Sequence, residues 1–583
     1  MLLLCLSLFQ SLASAIWPIP THYKHGDTVL CISKHFRFDW ASKSDHFDDD
    51  GFYRYSWSEA YFQPQENESN HHKPPTREHI VRYAAYSAHD TIFNKNFVPW
   101  KFHPRSWTEP DLFNIPCISR VQLHLLQEDP EDVARPLSGS IDESYSLSLT
   151  EEGEATISAN SSIGVVRGLA TFTQLFSKHT LGAAYTRLAP VYIYDAPKFP
   201  HRGLNLDVSR HFFPVSDIMR TIDALAYAKM NRLHLHITDS QSWPLEIPSL
   251  AKLAEKGAFR PNLVYTVKDF EELQHHAAIQ GVQLITEIDM PGHTSSIYHS
   301  YPDLVAAFDI QPDHYTYAAE PPSGTLKLNS TAVYEFLETL FDDLLPRITP
   351  YASYFHTGGD EVNKNAYLLD DTVRSKDFAV LQPLMQTFID RNHEQLRKKG
   401  LTPVVWEEML LEWDLKLGED VVVQSWRSDE AVEKIVEKGH KVLVGNYKFW
   451  YLDCGKGQWL NLDSNDPGQY QDYCAPYHNW RAIYSHNPLT NIPTSKQHLV
   501  LGGEVHLWAE QTDPSNLDQM VWPRAAAAAE VLWSGAMDAE GNSRSQKEAA
   551  QRLSEMRERL VRMGVGAEPV QMPYCTMEGG CGA

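Results

Sequence analysis

Residues 355 to 362 read Phe355-His356-Thr357-Gly358-Gly359-Asp360-Glu361-Val362, and the adjacent acids Asp360 and Glu361 are the groups of this chain best suited to chemistry. Two carboxylates delivered together by an apolar strand are what acid catalysis at a glycosidic bond can use. Neighbouring side chains on an extended strand point to opposite faces, so a kink is needed before both acids reach one ligand. Gly358 and Gly359 permit that kink, because glycine tolerates backbone angles other residues avoid. An isolated Asp-Glu pair is more often solvated charge at a helix start, where acids are favoured. The surrounding elements must decide between the two.

From His201 onward the sequence repeats strand, polar tip, helix. The expected strands are Gly203 to Asp207, Arg232 to Ile237, Val282 to Glu287, Tyr354 to His356, Pro403 to Trp406, Val421 to Trp426, Lys441 to Gly445 and Leu499 to Glu504. Helices are expected over Asp217 to Lys229, Val267 to Gln280, Val333 to Leu345 and Leu381 to Arg397, the second opened by Thr266 and Asp269 as a capping box. Eight βα units in one run predict a TIM (β/α)8 barrel, class α/β, whose functional groups belong at the C-terminal ends of the strands. Those ends carry Asp207 and Arg210, Asp239, Asp289 and His293, Asp360 and Glu361, Trp406, Trp426, Tyr451 and Asp453, and Trp508 and Glu510. Carboxylates, one arginine and three tryptophans on a single rim make a sugar site by composition. Aromatic faces pack on sugar C–H surfaces, while arginine and carboxylates fork onto hydroxyl pairs.

Ahead of the barrel, Val121 to Leu125, Tyr145 to Leu149 and Ala155 to Ile157 alternate as strands, the last two joined at Glu152-Gly153, and Ile163 to Phe176 has helical spacing. This predicts a smaller α+β domain over residues 16–198, with the barrel and a C-terminal tail over 199–583. Ser42 to Arg105 is rich in Asp, His, Asn and Pro and reads as a long insertion or surface loop. Residues 1–15 hold an apolar run ending in Ala13-Ser14-Ala15, the form of a secretory signal. No other run approaches a membrane span.

The 583 residues are 43% hydrophobic and carry 51 Lys and Arg against 75 Asp and Glu, a net charge of −24. That balance disfavours nucleic acid and anionic membranes as partners. Without Cys5, six cysteines remain, an even number suited to an oxidising compartment. Sequence proximity pairs Cys454 with Cys474 and Cys575 with Cys581, leaving Cys31 with Cys117. Asn67, Asn160 and Asn329 stand in glycosylation tripeptides. No Cys/His cluster faces the rim at ligand spacing, so neither a metal nor a cofactor is expected.

These motifs carry a family resemblance. They are His201-Arg202-Gly203-x-x-x-Asp207-x-Ser209-Arg210-His211, His234-x-His236-Ile237-x-Asp239, Asp289-x-Pro291-Gly292-His293, His356-x-Gly358-Gly359-Asp360-Glu361, Trp450-Tyr451-Leu452-Asp453, Leu507-Trp508-x-Glu510 and Trp522-Pro523-Arg524-Ala525. In this order the chain, from Trp17 to Trp533, resembles the family 20 glycoside hydrolases, β-N-acetylhexosaminidases, of the secreted fungal kind. The resemblance implies an exo-acting, retaining enzyme that removes terminal β-linked N-acetylglucosamine or N-acetylgalactosamine from chitin oligomers or glycans. It implies Glu361 as general acid and then base, with the raised pKa that such a role calls for. The nucleophile would be the substrate's own acetamido carbonyl, oriented by Asp360 and Tyr451. Trp406, Trp426 and Trp508 would box the acetamido group, Arg210, Asp453 and Glu510 would bind hydroxyls, and Asp239 with His293 would tune Glu361. His356 and Glu504 are left as polar groups of the barrel core. Family members are commonly homodimers, and the leader segment together with the secreted fungal kind implies a secreted, cell-wall or vacuolar location. One departure is the lack of any cysteine between Cys117 and Cys454, so the loop between the third and fourth strands, often cysteine-bracketed in the family, must be held otherwise.

Overall fold

A computed structural model describes residues 16–43, 52–57, 73–462, 465–578 and 581. The expected signal and Asn67 lie outside these residues. Eight parallel strands close a barrel: β8 (His201–Asp207), β9 (Arg232–Thr238), β10 (Gln283–Ile288), β11 (Tyr354–His356), β12 (Thr402–Trp406), β13 (Val422–Ser425), β14 (Lys441–Val444) and β15 (Val500–Leu507), with β15 hydrogen-bonded back to β8. Strands of such a barrel are covered on both faces, which is why they read as nearly unbroken apolar runs with a polar tip. Between them run helices at Val215–Tyr227, Val267–Ala278, Thr331–Ile348 and Phe378–Lys398, within a few residues of expectation. The second carries the capping box: Thr266 accepts from Asp269 N, and Asp269 accepts from Thr266 N.

Inward-facing positions of the barrel change character with height. Near the floor Ile285, Tyr354, Val404, Val422, Leu443 and Leu501 form an apolar layer. Above it, on the same strands, Glu287, His356, Trp406, Gln424 and Glu504 are buried, and with His234 they form a polar layer. His356 and Glu504 are therefore core groups, as expected. The next positions upward are the strand ends, where the rim residues begin.

The first part of the chain forms a sheet in the order β2-β1-β3-β5-β4-β7-β6, from β1 (His22–Lys43), β2 (Phe52–Trp57), β3 (Cys117–Leu125), β4 (Tyr145–Leu149), β5 (Ala155–Ala159), β6 (Ser177–Lys178) and β7 (Ala184–Asp195). The strands β1 and β7 had no clear signal in the sequence. Register shifts in β1 between His25 and Thr28 and between Ile32 and Arg37 break the two-residue alternation that marks a strand. The expectation of one long loop from Ser42 to Arg105 is corrected. Arg77–Phe93 is a helix capped by Thr76, and it buries Ile80, Val81, Ala84, Ala85, Ala88 and Ile92 with the helix Ser162–Gln174 in one core. Half of that stripe is alanine, too weakly apolar to stand out between histidines and acids.

Sheet and barrel are joined through buried charge. Glu143, 5% exposed, accepts from Arg167 Nε at 3.0 Å, Arg202 Nη2 at 2.6 Å and Asn231 Nδ2 at 2.9 Å. Lys229 Nζ lies 2.7 Å from Asp195 Oδ2, while Trp533 Nε1 donates to Asp195 Oδ1 at 3.0 Å. Disulfides join Cys31 to Cys117, Cys454 to Cys474 and Cys575 to Cys581, as sequence proximity suggested. The cysteine-free loop after the third barrel strand is held by a short hairpin, Val305–Ala306 with Thr325–Leu326. Thr325 Oγ1 and Leu326 N fasten that hairpin to the carbonyl of Pro291 at 2.9 and 2.8 Å.

Candidate active site

The kink that Asp360 and Glu361 require is present. Gly358 has φ +65°, Gly359 +106° and Glu361 itself +53°. A Cβ on Gly358 would stand 1.7 Å from Asp289 Oδ1, and one on Gly359 2.7 Å from Met409 Cγ. Gly359 N donates to Asp289 Oδ1 at 2.9 Å, Gly358 N to His356 Nδ1 at 2.9 Å, and Trp406 N to the Gly358 carbonyl at 3.1 Å. The third, fourth and fifth strands thus clamp the turn. Glu361 held in the left-handed region costs about 1–2 kcal/mol, strain of the kind found where a side chain must be aimed.

As a result both acids face one cavity of about 250 Å³. Its walls bring together Arg210, His293, Asp360 and Glu361 from the first, third and fourth strand ends. Opposite them stand Trp406, Trp426, Tyr451, Asp453, Trp508 and Glu510 from the fifth to the eighth. Asp239 sits behind this wall rather than in it, linking His293 and Arg210.

The two acids differ sharply. Asp360 Oδ1 is buried without a hydrogen-bond partner, and Oδ2 lies 3.9 Å from His293 Nε2. Burial, then the neighbouring Asp289 charge and that of Glu361, push the Asp360 carboxyl well above its usual range. Glu361 is 33% exposed, with Oε2 3.5 Å from His293 Nε2. Burial would raise its pKa too, but the hydrogen bond and charge of His293, then Arg210, hold it below the ordinary value. The expectation of a raised Glu361 is therefore corrected, because the raised carboxyl is Asp360. His293 is the cause: burial opposes its charge, but Asp239 at 3.0 Å from Nδ1, together with Asp360, holds it well above an ordinary histidine.

The aromatic wall is fixed from beneath. Trp406 is 1% exposed and donates from Nε1 to Glu287 Oε1 at 2.7 Å, and Trp426 donates to Glu408 Oε1 at 3.1 Å. The Trp406 and Trp508 rings lie 6.1 Å apart at 46°, Trp426 and Tyr451 6.3 Å apart at 20°, and Tyr451 and Trp508 6.3 Å apart at 60°. Arg210 pairs with Asp239 at 2.9 Å and, through Nε, with Glu320 at 3.1 Å. Burial pushes the Asp453 carboxyl up to about 7, and it raises that of Glu510 despite Arg210 nearby.

A fold that ends every barrel strand in one cavity is common to many chemistries, so the comparison with known proteins decides the family. The model for "Glycosyl hydrolase family 20, catalytic domain" matches residues 199–536, and that for "beta-acetyl hexosaminidase like" matches residues 16–175. This chain belongs to glycosyl hydrolase family 20. A beta-hexosaminidase of Arthroderma benhamiae is 43% identical over 97% of both chains. A chitooligosaccharidolytic beta-N-acetylglucosaminidase of Ostrinia furnacalis is 34% identical over 79% of this chain and 78% of its own. Among solved structures, a chitobiase of Flavobacterium johnsoniae shares the fold with a TM-score of 0.70 at 24% identity, covering 95% of this chain and 74% of that one. The family 20 chain is therefore a glycosidase of the β-hexosaminidase kind.

The family 20 site also contains groups that sequence reasoning missed. Glu320 and Tyr315 reach the cavity from the loop between the paired strands Val305–Ala306 and Thr325–Leu326, and Trp459 and Tyr473 from the loop closed by Cys454 and Cys474. Loop residues carry no periodicity that would have found them. Glu408 is different: it is buried under Trp426, and burial and Asp360 push its carboxyl well up. Glu407-Glu408 follows Trp406 directly, an adjacent acid pair at a strand end, which was a legible signal. Outside the cavity, Asn329 is exposed, while Asn160 Nδ2 donates to Asp142 Oδ2 at 2.7 Å. Among the described residues no helix is long and apolar enough to cross a membrane.

Proposed function

We propose that this hydrolase is an exo-acting, retaining β-N-acetylhexosaminidase that removes terminal non-reducing N-acetylglucosamine or N-acetylgalactosamine from chitin oligomers or glycans by substrate-assisted catalysis. The observation that carries this reading is that Asp360, whose buried Oδ1 has no partner, lines the cavity walled by Trp406, Trp426 and Trp508. A buried acceptor without a donor costs about 1–3 kcal/mol unless a ligand supplies the hydrogen bond. An acetamido N–H supplies it, with its methyl among the rings.

In this reading the substrate's acetamido carbonyl oxygen attacks the anomeric carbon. Glu361 protonates the departing oxygen, and the product of the first step is an oxazolinium ion. The acetamido N–H and the positive charge growing on the ring favour the anion of Asp360 over its raised carboxyl, so Asp360 accepts from that N–H and balances the charge, while the Tyr451 hydroxyl donates to the carbonyl oxygen. Glu361, now ionised, takes a proton from the water that reopens the ring, and two inversions give retention. Arg210, Asp453 and Glu510 take the hydroxyls of the single bound sugar, and Asp239 orients His293. A cavity of about 250 Å³, near the small end for ligand sites, suits one terminal residue and therefore exo action. The same reading treats residues 1–15 as a secretory leader and the chain as two domains meeting near residue 199. A thiazoline analogue of the oxazolinium should inhibit competitively, and NMR should show the β-anomer as first product. An α-anomer first, or a trapped glycosyl-enzyme, refutes the mechanism.

A further inference from the structure

Imidazoles and carboxylates alternate along the barrel axis from its floor to Glu361. His201 Nε2 lies 2.7 Å from Glu504 Oε1, Glu504 Oε2 3.0 Å from His234 Nδ1, and His234 Nε2 3.0 Å from Glu287 Oε2. The same Glu287 oxygen lies 2.6 Å from His236 Nδ1, and His236 Nε2 lies 2.6 Å from Asp239 Oδ2. Asp239 Oδ1 then meets His293 Nδ1 at 3.0 Å, and His293 Nε2 lies 3.5 Å from Glu361 Oε2. The side chains from Glu504 to Asp239 are buried.

An imidazole with a carboxylate on each ring nitrogen serves both only by donating from both, which makes it a cation. His234, His236 and His293 are all placed this way. Burial opposes their charge, yet Glu504 and Glu287 push His234 up to about 9, and Glu287 with Asp239 pushes His236 well above its ordinary value. From Glu504 up to His293 the stack thus alternates in sign.

This bears on the acid. Because His293 Nε2 lies 3.5 Å from Glu361 Oε2 and its hydrogen bond and charge hold the Glu361 carboxyl below its usual range, the proton Glu361 must deliver is drawn from His293. On delivery the His293 Nε2–H bond breaks and a Glu361 O–H bond forms. His293 is left neutral, still donating from Nδ1 to Asp239, and Glu361 passes the proton to the leaving oxygen. How easily this happens depends on how strongly Asp239 favours the cation. Asp239 is not a free carboxylate, because Oδ2 accepts from His236 and lies 2.9 Å from Arg210 Nη2. Arg210 is in turn divided between Asp239, Asp207 and Glu320.

We propose that His236 is a positioning residue for the acid: held doubly protonated between Glu287 and Asp239, it limits how firmly Asp239 keeps His293 charged and so leaves the shared proton available to Glu361. The proposal rests on Glu361 being the acid. The charged groups around the His293–Glu361 pair are Asp239, Asp289, Asp360, Glu320 and Arg210; around His236 they are Glu287, Asp239 and Asp289.

His236→Gln removes a cation while keeping hydrogen-bonding capacity. Losing a nearby positive charge raises the proton affinity of the His293–Glu361 pair, so the alkaline limb of the kcat/KM profile should move up by about one pH unit. A merely structural role lowers activity at every pH and leaves the limb in place. An unmoved or downward-moved limb in the folded variant overturns the proposal. Neutron diffraction of the wild-type crystal needs no variant: both His236 nitrogens should carry deuterium at neutral pD, and a single deuteron overturns it. If Glu361→Gln cleaves sugar leaving groups like wild type, the acid assignment falls, whereas the His236 proton count is read independently of it. An unmoved limb beside a crippled Glu361→Gln refutes His236 alone.

Discussion

Adjacent carboxylates with different tasks should respond differently to the group that departs. Glu361 acts only on the leaving oxygen, so the effect of Glu361→Gln must depend on how badly that oxygen needs a proton. General acid assistance is worth about 10²–10⁴ in rate, or roughly 3–5 kcal/mol. The glutamine keeps the shape of the side chain and can accept from His293 Nε2, 3.5 Å away in the wild type, so the loss measures the proton and not a collapsed site. With a sugar alcohol departing, kcat/KM should fall by about 10³. With a dinitrophenolate, stable without a proton, it should stay within about tenfold of wild type.

Asp360→Asn should show no such dependence. Its buried Oδ1 has no hydrogen-bond partner, and its assigned work is to hold the acetamide and offset positive charge on the forming ring. Removing that charge costs the transition state about 3–4 kcal/mol, or 10²–10³ in rate, whatever departs. The assay is kcat/KM for both variants across an aryl N-acetylglucosaminide series of graded phenol acidity and for chitobiose. kcat/KM reports only steps up to the first irreversible bond cleavage, so a slow second step does not interfere. Equal losses for the two variants across the series would refute the division of labour, as would a leaving-group slope for Asp360→Asn.

Tyr451→Phe removes one hydrogen bond to a carbonyl that gains charge in the transition state, so kcat should drop about 10- to 100-fold with little change in melting temperature; an unchanged kcat excludes the assigned contact. Gly358→Ala places a Cβ 1.7 Å from Asp289 Oδ1 at φ +65°, and the variant should be insoluble or inactive, whereas wild-type activity would show that the kink is dispensable. Replacing Cys454 and Cys474 by serine frees the loop carrying Trp459 and Tyr473, and should raise KM more than it lowers kcat; a pure kcat effect counts against that loop as a sugar-binding wall. Glu143 is held down to about 2 by Arg202 and Arg167 against the pull of burial. A depressed carboxylate stabilises above its unfolded pKa, so this contribution, roughly 3 kcal/mol, is complete above about pH 4.5 and is lost as pH falls towards 2. Glu143→Gln should lower the melting temperature at neutral pH and flatten its decline through that window, and calorimetry showing wild-type slopes would refute the pairing.

The barrel was legible because burial on both faces makes each parallel strand an apolar run with a polar tip, and a tip is where a barrel places function. That logic located Arg210, Asp360, Glu361, Trp406 and Trp508 from spacing alone, and the structure puts them around one cavity. It does not extend to side chains whose position is set by contacts distant in sequence. Glu320 reaches Arg210 only because the hairpin Val305–Ala306 with Thr325–Leu326 is tied to the Pro291 carbonyl, and no local pattern encodes that tie.

The charge of the acid was illegible for the same reason. Read locally, Glu361 beside Asp360 should hold its proton, since two neighbouring carboxylates resist double ionisation. In the folded chain the resistance falls on Asp360, because His293 turns towards Glu361 and is itself held cationic by Asp239 from the second strand, 54 residues away. Proton placement at this site is thus a property of three strands meeting, and a substitution in any one of them should be read first in the pH profile rather than in the rate at the optimum.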